Sequence, residues 1–199
     1  MQCPLFVRRS RPVQSRVYLS ISPGLCFLIA GALLVLPVSW ILSWLTASAL
    51  HELAHISALR ICGGKVLDIR LGSCGAIIST SPLNNKQEFF SAIVGPACSF
   101  VLTLLYRYFP IIAICSLIQL AYNILPVYPL DGGRVVSCIL KHFFCEKTVD
   151  VSLVWLRRGC LLIILIFCVY LSIVLKFVMP LVVFTVLYLR TASVKIPCK

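Results

Sequence analysis

The sequence predicts an all-α polytopic membrane protein of about six transmembrane helices with a small membrane-associated β-hairpin. Composition is the first reason. Of 199 residues, 60% are apolar and 12% charged, and mean hydropathy is +1.02. Soluble domains hold about 45–50% apolar and about 25% charged residues, so a disordered chain and a soluble globular enzyme are both excluded. Charge-free runs are the second reason. Val17–Leu50, Phe89–Tyr106, Tyr108–Leu130 and Gly159–Leu175 run 34, 18, 23 and 17 residues without Asp, Glu, Lys, Arg or His. Each is close to or above the ~20 apolar residues that cross a bilayer core.

The third reason is where the cations lie. Lys and Arg gather at the N-terminus (Arg8, Arg9, Arg11, Arg16), after the second span (Arg60, Lys65, Arg70, Lys86), between Asp131 and Gly159, and at the C-terminus, leaving only Arg107 and Lys176 elsewhere. Six spans with both termini cytoplasmic place 16 of the 18 on one side, as the positive-inside rule requires. The formal charge of +12 therefore reports topology, and no nucleic-acid partner is expected. Eleven cysteines, none closer than seven residues apart and none in CxxC, signal neither a disulfide framework nor a thiolate zinc site.

The expected elements follow in order. A first span runs from about Ser20 to Leu36, read as a retained helix rather than a signal peptide because a second span follows at once. Pro37 marks the reversal. The second span, Val38–Ile61, carries the small residues Ser43, Thr46, Ala47, Ser48, Ala54, Ser57 and Ala58, which favour close helix packing and a central place in the bundle. Gly63-Gly64 stops it. Leu67, Ile69 and Leu71 alternate with Asp68 and Arg70 around a Gly-rich turn, so residues 65–79 read as a β-hairpin. Spans then follow at Phe89–Tyr106 and Pro110–Leu125, a short amphipathic helix runs to Phe144, and spans at 153–175 and 177–190 finish the chain. The 27 residues of Cys62–Glu88 fall short of the ~50 of a separate domain. The expectation is one integral membrane domain over 1–199, with a core at about 20–145 and further helices at about 153–190.

Ionisable groups inside such spans are costly and functional by default. His51-Glu52-Leu53-Ala54-His55 has the HExxH arrangement. Residues four apart share a helix face, so both imidazoles can point at one metal ion. Glu52 is rotated about 100° from His51, near the water whose pKa a zinc ion lowers to about 7. A catalytic zinc site normally needs three protein ligands. His142 is one candidate for the third, but its Lys-His-Phe-Phe surroundings suit an interfacial residue. Asp131 is the stronger candidate, since it follows a charge-free run and precedes Gly132-Gly133, which permit a sharp turn and a close approach.

The first motif, joined to Asn123-Ile-Leu-Pro126-Val-Tyr-Pro129-Leu130-Asp131-Gly132-Gly133-Arg134, resembles the site-2 protease family of intramembrane zinc metalloproteases. The second stretch matches the family's NxxPxxPLDGG pattern at each fixed position. The resemblance covers about residues 20–145 and is nearest a minimal sporulation-branch member, without PDZ insertions or a C-terminal nucleotide-sensing module. It implies one zinc ion per chain on His51, His55 and Asp131, with Glu52 as general base and later proton donor. Asn123 would stabilise the developing oxyanion or serve as an interhelical hydrogen bond. Ala54 stands where the family commonly has Gly. Ser99 replaces the Asn of its GPxxN segment, which leaves that polar contact open.

The expected activity is hydrolysis of a peptide bond within or next to a transmembrane segment, by a site close to the cytoplasmic face. The implied partners are the bilayer, a regulatory membrane protein and a membrane-embedded substrate such as a tethered transcription factor or its inhibitor. Two rivals exist: a non-catalytic membrane assembly protein with a vestigial metal site, and a metal transporter. The intact Glu52 opposes the first. The polar residues, gathered at one level, oppose the second.

Overall fold

A computed structural model describes residues 18–72 and 75–176, with Leu181, Phe184, Thr185, Leu187, Tyr188 and Thr191 beyond them. The basic N-terminal cluster at 8–16 lies outside the described residues, as does most of the expected last span. The five described positions of that span, and Thr191 just after it, are helical.

The chain enters as a strand, not as the helix expected from Ser20. β1 (Tyr18–Ile21) pairs in parallel with β2 (Val66–Gly72), from Tyr18 opposite Asp68 to Ile21 opposite Leu71. Nothing in its apolar sequence separates it from the helix that follows. Ser22 makes the boundary: its N–H donates to the Leu71 carbonyl at 2.8 Å, and its hydroxyl accepts from Gly24 N–H at 3.3 Å. Pro23 then opens α1 (Pro23–Val35), with its missing N–H at a position where no helical partner exists.

Pro37 separates α1 from α2 (Val38–Ile61). Gly63, at φ 77, takes the left-handed conformation that glycine adopts without strain. The expected hairpin is present. β2 pairs antiparallel with β3 (Gly75–Thr80), with Ile69 opposite Ile78, giving a three-stranded sheet in the order β1-β2-β3.

α3 (Asn85–Leu104) begins where Gln87 Oε1 accepts from Asn84 N–H at 2.8 Å, and it passes into a 3-10 turn at Leu105–Arg107. α4 (Pro110–Asn123) leads through a loop containing a cis Tyr128–Pro129 bond to α5 (Asp131–Phe143). α6 (Glu146–Leu175) starts seven residues earlier than the span expected from 153. It ends at Lys176, whose φ is 51.

α2 packs against both α3 and α4, and α3 also packs against α4 and α5. α2 is therefore central, as its small residues predict. Ala47 and Ala58 are buried, while Thr46 and Ser57 face outward. Thr46 donates instead to its own Leu42 carbonyl at 2.8 Å.

The exterior is inverted relative to a water-soluble protein. Leu34, Ile61 and Phe27 are 89, 80 and 78% exposed, whereas His51, His55, Ser99, Ser116, Asn123 and Asp131 are buried. Such an exterior suits lipid, not water. Two helical stretches, Asn85–Arg107 and Lys147–Val174, are long and apolar enough to cross a bilayer. α1 and α4 have 13 and 14 residues, shorter than expected. They rise about 20 Å against a hydrocarbon core of about 30 Å. α2 has the length, with 24 residues, but its histidines and glutamate lower its hydropathy.

α5 lies directly on the loop before it. A Cβ at Gly132 would overlap the Ile124 carbonyl, and one at Gly133 would overlap Val127 and the Tyr128 nitrogen. Backbone cannot yield as a flexible side chain does. Gly133→Ala is expected to destabilise the protein by about 1–3 kcal/mol through overpacking, measured by equilibrium unfolding in mixed detergent micelles. Gly31→Ala, with open space around the added methyl, is the matched substitution that should not destabilise.

Candidate metal centre

α2 places His51 and His55 one turn apart on its buried face, 2 and 7% exposed, with ring centroids 4.7 Å apart and planes at 81°. The first residue of α5 meets them. Asp131 Oδ2 lies 3.1 Å from His51 Nε2 and 3.1 Å from His55 Nε2, and the two Nε2 atoms are themselves 3.1 Å apart. Among the described residues, this is the group of histidine, cysteine and carboxylate side chains whose donor atoms converge in the manner of a metal site. His142 does not join it. That side chain is exposed and packs edge-on against Phe143.

Neighbouring groups fix what each donor presents. His55 Nδ1 lies 2.7 Å from the Ser91 carbonyl. A carbonyl only accepts, so Nδ1 carries the hydrogen and a neutral His55 turns a bare lone pair on Nε2 toward the carboxylate. His51 Nδ1 lies 2.8 Å from Ser99 Oγ, and a hydrogen donated there leaves its Nε2 bare as well. Three lone pairs would then meet within a triangle 3.1 Å on a side. They repel one another unless a cation sits among them. Tetrahedral nitrogen and oxygen ligands at about 2.0–2.1 Å from a metal stand about 3.3 Å apart, close to the separation found. The donor set fits a small divalent metal with a fourth position left open.

The other oxygen of Asp131 lies 3.7 Å from Arg134 Nη1, and Arg134 Nε lies 3.9 Å from Glu88 Oε1. This links α5 to α3 behind the ligand. Asn123 is buried, with Nδ2 3.5 Å from His51 Nε2, too long for a firm hydrogen bond. Glu52 is half-buried and interacts electrostatically with His55. The Cys138 thiol, in α5, is pushed up to about 11 by burial, and it is not among the side chains whose donor atoms converge.

The contact left open at Ser99 is made: the side chain is fully buried against His51. Gly95 and the Ser91 carbonyl were not anticipated as parts of the site. Any Cβ at Gly95 would overlap the His55 ring, so the Gly95-Pro96 segment is where α3 and the imidazole come closest. Sequence offered only the small residue as a clue. On α4, Ser116, Gln119 and Asn123 are all buried. Their spacing of three and four on one face was visible, but its direction was not.

Removing a group that orients a metal-bound imidazole typically weakens affinity about 10–100-fold. Ser99→Ala should weaken divalent-metal binding within that range, measured by competition with a chromophoric chelator. Gly95→Ala should weaken it at least as much, because the ring itself must move.

No family model matches the chain. The zinc metalloprotease MJ0392 of Methanocaldococcus jannaschii is 30% identical over 115 residues, covering 50% of this chain and 34% of that protein. A Synechocystis protein named as a zinc metalloprotease, sll0528, is 35% identical over 123 residues, covering 51% of this chain and 32% of that one. The chain thus spans about a third of the length of these curated relatives. The solved site-2 protease from Methanocaldococcus jannaschii superposes with a TM-score of 0.62 at 18% identity, over 91% of this chain and 94% of that one. The chain thus shares its fold with that site-2 protease, and about half of it is similar in sequence to proteins named as zinc metalloproteases.

Proposed function

We propose that the chain is an intramembrane zinc metalloprotease that hydrolyses a peptide bond within or next to a transmembrane segment of a membrane-bound substrate. The observation that carries this reading is the triangle of His51, His55 and Asp131 donor atoms, buried in a protein with an apolar exterior. The zinc metalloprotease relatives support the choice of metal.

His51, His55 and Asp131 hold the metal, which when bound supplies a Lewis-acid centre for water and the scissile carbonyl. Ser99 and the Ser91 carbonyl orient the two imidazoles. Arg134 attracts Oδ1 of Asp131, so Oδ2 is the oxygen that would be offered to a bound metal. Glu52 takes a proton from the attacking water as its oxygen bonds to the carbonyl carbon. It returns that proton to the amide nitrogen as the carbon–nitrogen bond breaks. The Asn123 amide donates toward the carbonyl oxygen as negative charge develops there.

A transmembrane helix resists such attack because its amides are already bonded and water is absent. The sheet supports a way around this. Among the described residues β3 is an edge strand, and an unwound substrate segment added there would be held extended. The wider reading is a single domain with six spans and both termini cytoplasmic. Its metal lies near the cytoplasmic face, where the basic connections gather.

Glu52→Gln should lower cleavage of a membrane-embedded substrate by about 10²–10⁴-fold while zinc content stays equal to that of the parent chain. Asp131→Asn should lower zinc content as well as cleavage. Both are read by metal analysis of purified protein beside a cleavage assay in vesicles. Undiminished cleavage by the Glu52 variant would discard the mechanism. A parent chain that holds zinc but cleaves nothing in its native membrane would favour the assembly-protein reading.

A further inference from the structure

A cavity lies away from the donor triangle, between the first turn of α3 and the last turns of α5. Its volume is about 540 Å3. The two helices are tied there by Asn85 Nδ2, which donates to the Cys138 carbonyl at 2.9 Å. Phe89, Phe90, Ile139 and Phe143 form its apolar surface, and Lys86 and His142 stand at the same cavity. Phe143 is 72% exposed, and both Lys86 and His142 are exposed.

Among the described residues, no acidic side chain lines the cavity. α5 buries Asp131, Gly133, Ser137 and Cys138 while its last turn presents Ile139 and Phe143 beside Lys141 and His142. Apolar side chains interleaved with cations suit a helix lying in the headgroup region of a bilayer. Basic pockets between helices on the cytoplasmic side hold anionic lipid headgroups.

The geometry points to this groove as a binding site for one anionic phospholipid, with its phosphate against Lys86 and His142 and its acyl chains along the phenylalanines and Ile139. Charge complementarity selects the anion, and the apolar surface selects a lipid over free phosphate. A bound peptide strand would need a row of backbone partners, and the lining offers one amide side chain. Phosphatidylglycerol, an anionic phospholipid, is the matched probe. The inference rests on the membrane reading given above and is independent of the hydrolytic one.

The test uses the full chain with Phe143→Trp, reconstituted in phosphatidylcholine vesicles. One preparation contains phosphatidylglycerol with brominated acyl chains, and the other contains brominated phosphatidylcholine at the same fraction. Quenching is read as the difference from the unsubstituted chain, which removes the signal of Trp40, Trp44 and Trp155. Brominated phosphatidylglycerol should quench the added tryptophan several-fold more strongly. Lys86→Gln should reduce that preference about fivefold, the worth of one cation at an anionic surface. His142→Gln should reduce it too, and Lys86→Arg should keep it. Equal quenching by the two lipids, or a preference indifferent to Lys86→Gln, would overturn the inference alone. Displacement by millimolar inorganic phosphate would reassign the groove to the free anion. Absence of quenching by either lipid would overturn the inference together with the membrane reading.

Discussion

Three lone pairs brought within 3.1 Å of one another inside an apolar sleeve are the constraint to which the rest of the structure answers. Each donor is costly to bury alone, and each is stabilised by a neighbour, the two imidazoles from another helix and Asp131 from its own. α3 supplies the Ser91 carbonyl and the Ser99 hydroxyl, and α5 supplies Arg134 behind Asp131. Side-chain size follows from the same demand. Gly95 leaves room for the His55 ring, and Gly132 and Gly133 let α5 descend onto its own preceding loop. Ala47 and Ala58 let α2 sit among its neighbours. Small residues in membrane bundles generally permit close packing; here the closeness is what brings the carboxylate to the imidazoles.

This explains which parts were legible in the sequence. HExxH fixes two donors by helical periodicity, with no need to know what α2 packs against. Asp131 stood out because a carboxylate beside a long uncharged run demands a reason. The β2–β3 hairpin announced itself through period-two alternation around glycines. By contrast, β1 is apolar and continues directly into apolar α1, and its strand conformation depends on β2, from which 44 residues separate it. The lengths of α1 and α4 were overread for a related reason. An uncharged run marks what tolerates lipid, and it also passes through strand, cap and loop. Val127 and Leu130 are fully buried loop residues within such a run.

Polar residues of the interior were hardest to place. Ser99, Ser116 and Gln119 lie on apolar helices where serine and glutamine attract little notice, and only the packing of α2 against α3 and α4 shows which way they point. Gln119 Nε2 lies 3.4 Å from Ser48 Oγ, and Ser116 Oγ is buried with no partner among the described residues. These groups form a buried polar seam along α4 that ends at Asn123, beside His51. Side-chain chemistry alone leaves open whether Ser at position 99 keeps the polar contact of an Asn. With the hydroxyl fully buried beside Nδ1, a short side chain suffices, since distance is set by the helix backbones and not by reach.

α5 joins the two sites. Its first residue is the carboxylate of the donor triangle, and its last turn carries His142 and Phe143 at the interfacial groove. Thirteen residues span about 20 Å of rigid helix, and α3 is tied to it along that length, by Asn85 at the Cys138 carbonyl and by Glu88 at Arg134. Two helices bound at several points move as a unit, so the depth of one end sets the depth of the other. A groove occupied by a headgroup would hold the end of α5 at the membrane surface. The donor triangle would then be fixed about one helix length away, and the sheet, reached from α2 through Gly63-Gly64, would lie on the same side. Membrane contact and metal geometry are in this arrangement two consequences of one helix placement.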